Sequence, residues 1–146
     1  MFEIAFKSFL PITENVLISS VLGGALFGGG LGDLACAFLC GLAVGLCLLY
    51  GGKFIGANSF FRTAVCSALA AFLSLALVEA GLGESVDVVT ISTLMVLVPG
   101  VALTNAMREI MAGDTFSALS RTADAILVAS AIALGAAAGQ ALGGLF

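Results

Sequence analysis

The chain has 146 residues, 61% of them apolar and 10% charged, with a mean hydropathy of +1.22 and a formal net charge of −4. A water-soluble domain needs a charged fraction nearer about a quarter to cover its surface, so this composition excludes one and points to a lipid bilayer. No basic block of the kind that holds phosphate is present, which excludes nucleic acid as a partner.

Residues 1–15 read as a short interfacial segment. They lack the cationic start and small-residue cleavage site of a signal peptide, with Glu3 ahead of Lys7. Phe2, Phe6, Phe9 and Leu10 instead share a helical face before Pro11, the pattern of a segment lying at the membrane surface. Residues 16–146 then form a transmembrane domain. Cutting at charged and turn-forming positions leaves apolar segments at about 16–31, 34–50, 63–82, 88–107 and 125–145. Each is close to the roughly 20 helical residues that cross a hydrocarbon core. The expected fold class is therefore all-α, a polytopic membrane protein of five transmembrane helices.

Gly32-Asp33 divides the first two spans and predicts a tight helical hairpin with Asp33 at its tip. Lys53 and Arg62 flank the second connection and Arg108 and Arg121 the fourth, whereas the third, around Glu79, Glu84 and Asp87, has no basic residue. Basic residues are retained on the cytoplasmic side, so the N-terminus is expected inside and the C-terminus outside. With an odd number of spans, a homologous unit following this one would lie inverted, the construction of inverted-repeat transporters.

Small residues mark the faces that pack in lipid. Ser20, Gly24, Gly28 and Gly32 recur every fourth position in the first span, Ala37, Gly41 and Gly45 in the second, and Ala131, Gly135, Gly139 and Gly143 in the last. None has the spacing of a phosphate loop, so no nucleotide site is indicated. Cys36, Cys40, Cys47 and Cys66 all fall inside apolar runs, and the chain has no histidine. They read as small apolar packing residues; no metal or other cofactor is expected.

The informative stretch begins at Pro99-Gly100. Proline removes one backbone hydrogen bond and crowds the carbonyl of Met95, and Gly100 removes the side chain that would restrain a bend, so the fourth helix should break there. A break at mid-depth implies a cavity or a well-packed neighbour. The half-helix that follows would turn its free N–H groups toward that depth, a natural place for a carboxylate. Asn105, Arg108 and Glu109 then lie within one turn of each other. Gly113-Asp114 reads as a helix stop followed by an N-cap, so the fifth helix begins near Thr115 and carries Ser117, Ser120, Arg121 and Asp124 on one face. Arg121 and Asp124, three apart, are placed to neutralise each other.

Pro99-Gly100, Thr104-Asn105-Ala106, Arg108, Gly113-Asp114, Ser117, Arg121 and Asp124 together resemble the signature of the threonine and serine exporter family, the ThrE-like membrane proteins. The resemblance runs from about Leu17 to the C-terminus. It implies export of threonine and serine across the bacterial cytoplasmic (inner) membrane by the proton motive force, a small-molecule substrate, and no enzymatic activity. It also implies a homo-oligomer or a pairing with a second small membrane subunit, because a split branch uses two subunits with a dicarboxylate such as succinate as cargo. Three positions depart from the family pattern, Glu109 for Asp, Asp124 for Glu and Ala118 for Gly. The N-terminal cytoplasmic region and the second membrane half of fused members are missing, which implies half a transporter or a fragment.

On this reading Pro99, Gly100, Thr104, Asn105 and Arg108 meet the substrate, and Asp114, Arg121, Asp124 and Glu109 serve proton coupling or gating. Two other classes compete. Gly30-Leu31-Gly32-Asp33 resembles the motif of intramembrane aspartyl proteases, but the expected orientation puts Asp33 and Asp114 on opposite sides of the membrane, and that chemistry needs a shared site. A non-transporting membrane subunit would use the glycine faces to bind a partner.

Overall fold

A chain in lipid must close its backbone hydrogen bonds within its own segments. The computed structural model describes the backbone of residues 2–54 and 58–145 and the side chains of 14–50 and 58–145. These residues form six helices and no strand: α1 (Phe2–Leu26), α2 (Leu31–Phe54), α3 (Ser59–Glu79), α4 (Val86–Leu94), α5 (Gly100–Met111) and α6 (Thr115–Gly143). The predicted all-α class is what is observed. Among the described residues, three stretches are long and apolar enough to cross a bilayer: Leu31–Tyr50, Ser59–Glu79 and Thr115–Gly143.

α1 runs without a break from residue 2 into the first predicted span, so its backbone does not separate at Pro11. The side chains of Phe2, Phe6, Phe9, Leu10 and Lys53 lie outside the described residues.

The first turn falls earlier than expected. α1 closes over residues 27–30, where Gly28 takes φ +74° and the N–H groups of Phe27 and Gly29 bond to the carbonyls of Gly23 and Gly24. A left-handed residue stops the helix, and only glycine adopts it without a Cβ penalty. Asp33 is therefore not at a hairpin tip. It sits in the first turn of α2, and it is buried.

Most of the predicted glycine faces pack as expected. A Cβ on Gly41 of α2 would strike Ser20 of α1, and one on Gly24 would come within 3.2 Å of Leu34. These contacts run in opposite directions along the two helices, so α1 and α2 are antiparallel. On α6, Gly135 lies against Ala64 and Ser67 of α3, Gly139 against Ala68 and Ala71, and Gly143 against Leu75. Here both numbers rise together, so α3 and α6 are parallel. The chain must therefore travel back along the bundle between the end of α3 and the start of α6, and α4 with α5 carries it.

α4 is enclosed. It packs on α1, α2 and α3, burying Val89, Thr90, Ser92 and Thr93, while a Cβ on Gly23 of α1 would come within 3.1 Å of the Ser92 Cα. Val89 joins Cys36 and Cys40 at the core, with Leu73, Leu77 and Val78 around them. Lower down, Leu94 and Leu97 pack on Val44, Cys66 and Ala70. Val44 lies near the middle of α2, and Cys66 and Ala70 straddle the middle of α3. The chain thus leaves helical geometry at mid-depth of its neighbours.

Candidate functional site

The break expected at Pro99-Gly100 is present as a full interruption. α4 ends at Leu94, Met95 and Leu97 donate back to Ile91 and Leu94, and α5 starts at Gly100. Pro99 stands at φ −79°, ψ 55° with Gly100 N–H donating to the Val98 carbonyl at 2.8 Å, the geometry of an inverse γ-turn. The proline ring fixes φ for that turn and offers no N–H to bridge back to Met95. Thr104 Oγ1 donates to the Gly100 carbonyl at 2.9 Å, and Leu103 N–H to the Pro99 carbonyl at 3.2 Å. Gly100's own N–H is used by the turn. The first-turn donors of Val101 and Ala102 are those without an intrahelical acceptor.

Gly100 faces open space: a Cβ built there meets no atom within 4 Å. α5 packs chiefly on α6, and between them Leu103, Thr104, Ala106, Met107, Ile110 and Thr122 line an open groove of about 570 Å³. Ala106 is the residue of α5 that is buried. Asn105 is half-buried and Arg108 exposed. Arg108 has no acidic partner among the described residues, which leaves its guanidinium free for a carboxylate. Gly100 and Arg108, eight positions apart, are separated by about 12 Å of helical rise. A small amino acid cannot touch both at once. They are successive points along α5, not one pocket.

The remaining predicted residues divide into two groups. Glu109 Oε1 receives Arg121 Nε at 2.6 Å across the α5–α6 hairpin. Arg121 is thereby paired with Glu109, and the expected Arg121–Asp124 pair is not the one observed. The other oxygen, Glu109 Oε2, is buried with no hydrogen-bond partner. Asp114 caps α6 as predicted, its carboxylate accepting from Ser117 N–H at 3.2 Å. Asp114 and Asp124 are both exposed.

The parallel register fixes where these groups lie. Gly135 is level with Ser67, so Thr115 lies about 18 Å of helical rise beyond the level of Ser59, the start of α3. The second half of α5 and the first turns of α6 therefore form a helical hairpin projecting past that end of the bundle. Asp33 lies at the other end, where its carboxylate accepts from Glu84 N–H at 2.7 Å, Ser85 N–H at 3.1 Å and Gly30 N–H at 3.3 Å. Asp33 and Asp114 thus sit at opposite ends and form no dyad.

Sequence reasoning missed the Asp33 contact and the hydroxyls around α4. Ser74 Oγ and Thr90 Oγ1 share a hydrogen bond of 2.5 Å, and Ser92 and Thr93 donate to the carbonyls of Val88 and Val89. The cluster Thr90, Ser92, Thr93 inside an apolar run was the available signal, because a hydroxyl in a lipid-facing position is unfavourable. Among the cysteines, Cys66 and Cys47 approach to 3.2 Å between α3 and α2, both as free thiols. No group of residues that could hold a metal is found among the described residues.

With this geometry in place, comparison with known families is decisive. Residues 12–143 match the ThrE family model, described as "Putative threonine/serine exporter". The chain belongs to the ThrE family. This is a transporter family, consistent with the apolar helices. Nothing among curated proteins and nothing among solved structures matches the chain.

Proposed function

We propose that this ThrE protein is a transport unit that exports small amino acids such as threonine and serine across the bacterial cytoplasmic membrane, driven by the proton motive force. The observation that carries the reading is the helix broken at mid-depth, followed by the open backbone at Gly100 and, about two turns from it along α5, an Arg108 with no acidic partner among the described residues. A broken span in lipid needs an occupant for its freed backbone groups, and half-helix ends in transporters meet substrate charges in this way. The substrate carboxylate passes from Arg108 at the projecting hairpin to the Val101 and Ala102 N–H groups at mid-depth, with Asn105 donating on the way and Thr104 Oγ1, its own proton given to the Gly100 carbonyl, accepting from the substrate ammonium.

The same unit crosses the membrane five times, α4 and α5 together making the fourth crossing, with the N-terminus inside and the C-terminus outside. The parallel packing of α3 and α6 supports this, since parallel neighbours require the chain to return between them. Arg62, Arg108 and Arg121 all lie toward the hairpin end and Glu79, Glu84 and Asp87 toward the other, which agrees with a cytoplasmic hairpin. A single broken helix lines only one wall of a path, so a second copy or a second small subunit closes it.

The test is efflux of radiolabelled serine, threonine and succinate from cells expressing the chain, with and without an uncoupler. Uncoupler-sensitive efflux of serine or threonine is expected. Succinate efflux alone would move the cargo to dicarboxylates, and efflux of none of them would remove the transport reading.

A further inference from the structure

The two oxygens of Glu109, on the α5–α6 hairpin, have unlike surroundings. Oε1 receives Arg121 Nε at 2.6 Å, whereas Oε2 is buried and accepts no hydrogen bond. A buried, charged acceptor without a donor is unfavourable, so Oε2 marks a place for a donor that the described residues do not supply. The other carboxylates of the hairpin leave no such gap. Asp114 accepts from Ser117 N–H, and Asp114 and Asp124 are both exposed, where water satisfies them. Glu109 is nevertheless within reach, its side chain being 24% exposed and that of Arg121 51% exposed. The terminal torsion of a glutamate is broad, so a turn of the carboxylate presents Oε2 at that opening while the long Arg121 side chain follows Oε1.

Its neighbours on α5 decide which donor fits. Arg108, the preceding residue, is exposed and has no acidic partner among the described residues. Consecutive residues leave a helix about 100° apart, and Asn105, three positions before one and four before the other, lies in the sector between them, one turn nearer the break. This turn of α5 thus carries a cation, an amide and a carboxylate oxygen in need of a donor. An α-amino acid is the complement, with a carboxylate and an ammonium on one carbon atom. An ammonium has three N–H donors and no acceptor, so it can meet Glu109 in any rotation about its C–N bond.

From this we infer that Glu109 is the residue that selects amino acids as cargo: its Oε2 accepts from the substrate ammonium while Arg108 holds the carboxylate. The inference rests on the exporter reading for the path and adds the group that discriminates along it. Thr104 Oγ1, deeper in that path, is a neutral acceptor, so the charge that discriminates stands at the level of Arg108. The second carboxylate of a dicarboxylate such as succinate would face Glu109 and be repelled. A hydroxyl in place of the ammonium would forgo the charge-assisted hydrogen bond.

Calorimetric titration of the full chain in lipid nanodiscs tests this with two ligands, L-serine and glycerate, which carries a hydroxyl where serine carries its ammonium. The wild type should bind serine about tenfold or more tighter than glycerate. Glu109→Gln keeps an oxygen for Arg121 and places an N–H donor at the second position. It should weaken serine by about ten- to a hundredfold and leave glycerate as tight as before or tighter. Arg108→Gln should weaken both ligands alike, since both carry the carboxylate. Equal binding of serine and glycerate by the wild type, or no serine binding at all, would overturn the assignment. So would an equal weakening of the two ligands in Glu109→Gln, the mark of a purely structural pair with Arg121. A Glu109→Gln protein that binds serine as the wild type does, yet loses its accumulation under a pH difference in proteoliposomes, would make Glu109 a proton carrier and overturn it too. Serine binding in the expected order without uncoupler-sensitive efflux would end the exporter reading and leave the ammonium site standing.

Discussion

Replacing Gly100 by alanine separates the role of the break in folding from its role in transport. Gly100 is the first residue of α5, its φ is not left-handed, and a Cβ there meets nothing within 4 Å. The fold therefore accepts the methyl group. Fewer unfolded conformations should stabilise the protein by about 0.5 kcal/mol, a rise of roughly 1 to 2 °C in melting temperature for a chain of this size. Transport should move the other way. Cβ atoms tilt toward the helix N-terminus, so the methyl sits at the rim of the end where the Val101 and Ala102 N–H groups are free. Loss of one charge-assisted hydrogen bond there is worth about 1.5 to 3 kcal/mol, or roughly ten- to a hundredfold in efflux at limiting substrate. Thermal melting in detergent and radiolabelled serine efflux, measured on the same preparation, give both signs. A Gly100→Ala protein that is as stable as the wild type and exports at the wild-type rate would refute the idea that bare backbone at this point meets the substrate.

Gly113→Ala, the same exchange in equally open space, should destabilise by about 1 kcal/mol, because Gly113 holds φ +88°; the pair of melting temperatures checks that conformation and not contact decides the sign. The Glu109–Arg121 pair should be asymmetric. Glu109→Gln removes a partly solvated ion pair worth under about 1 kcal/mol and is expected to change thermal stability little, whereas Arg121→Ala leaves the half-buried Glu109 carboxylate unpaired and should cost about 1 to 3 kcal/mol. Equal losses in the two melts would show that the ion pair is not formed. Cys47 and Cys66, 3.2 Å apart, should close to a disulfide under a thiol oxidant, read by mass spectrometry of the linked peptides; linkage of Cys36 or Cys40 instead would place α2 in another register. Gly139→Val should uncouple α6 from α3, since even a Cβ there collides with the Ala68 carbonyl, with a loss of several °C in melting temperature expected from overpacking of about 1 to 3 kcal/mol.

What was legible in the sequence follows from how local each signal is. Pro99 breaks a helix through its own ring and missing N–H, Asp114 caps α6 with its own side chain, and both were readable from a few neighbouring residues. The small-residue faces of α1, α2 and α6 were readable for the same reason, as a period along one helix. Gly28 is the exception within its stripe, because a left-handed glycine ends the helix before the period can continue. Asp33 was misplaced because a charge between apolar runs looks like a boundary. Its acceptors are satisfied by N–H groups 51 and 52 positions away, a contact with no local signature. Arg121 offers the same lesson at shorter range. The i, i+3 acid on its own helix was visible, but the antiparallel hairpin brings Glu109 to within 2.6 Å.

The two halves of the interrupted helix have unlike surroundings, and this gives the break a mechanical meaning. α4 is held on three sides by α1, α2 and α3 and tied at its start by Asp33, so its position is over-determined. α5 packs chiefly on α6, which in turn is locked to α3 through Gly135, Gly139 and Gly143. The five residues from Met95 to Pro99 therefore join a half-helix packed directly on α1, α2 and α3 to one that reaches α3 chiefly through α6, and the backbone bonds they make are local. Hinges are segments of this kind, a few element-terminal residues that absorb a change in φ and ψ while packed helices on either side stay intact. Any displacement of α4 against α6 must be taken up there, at mid-depth, where Gly100 leaves the backbone open.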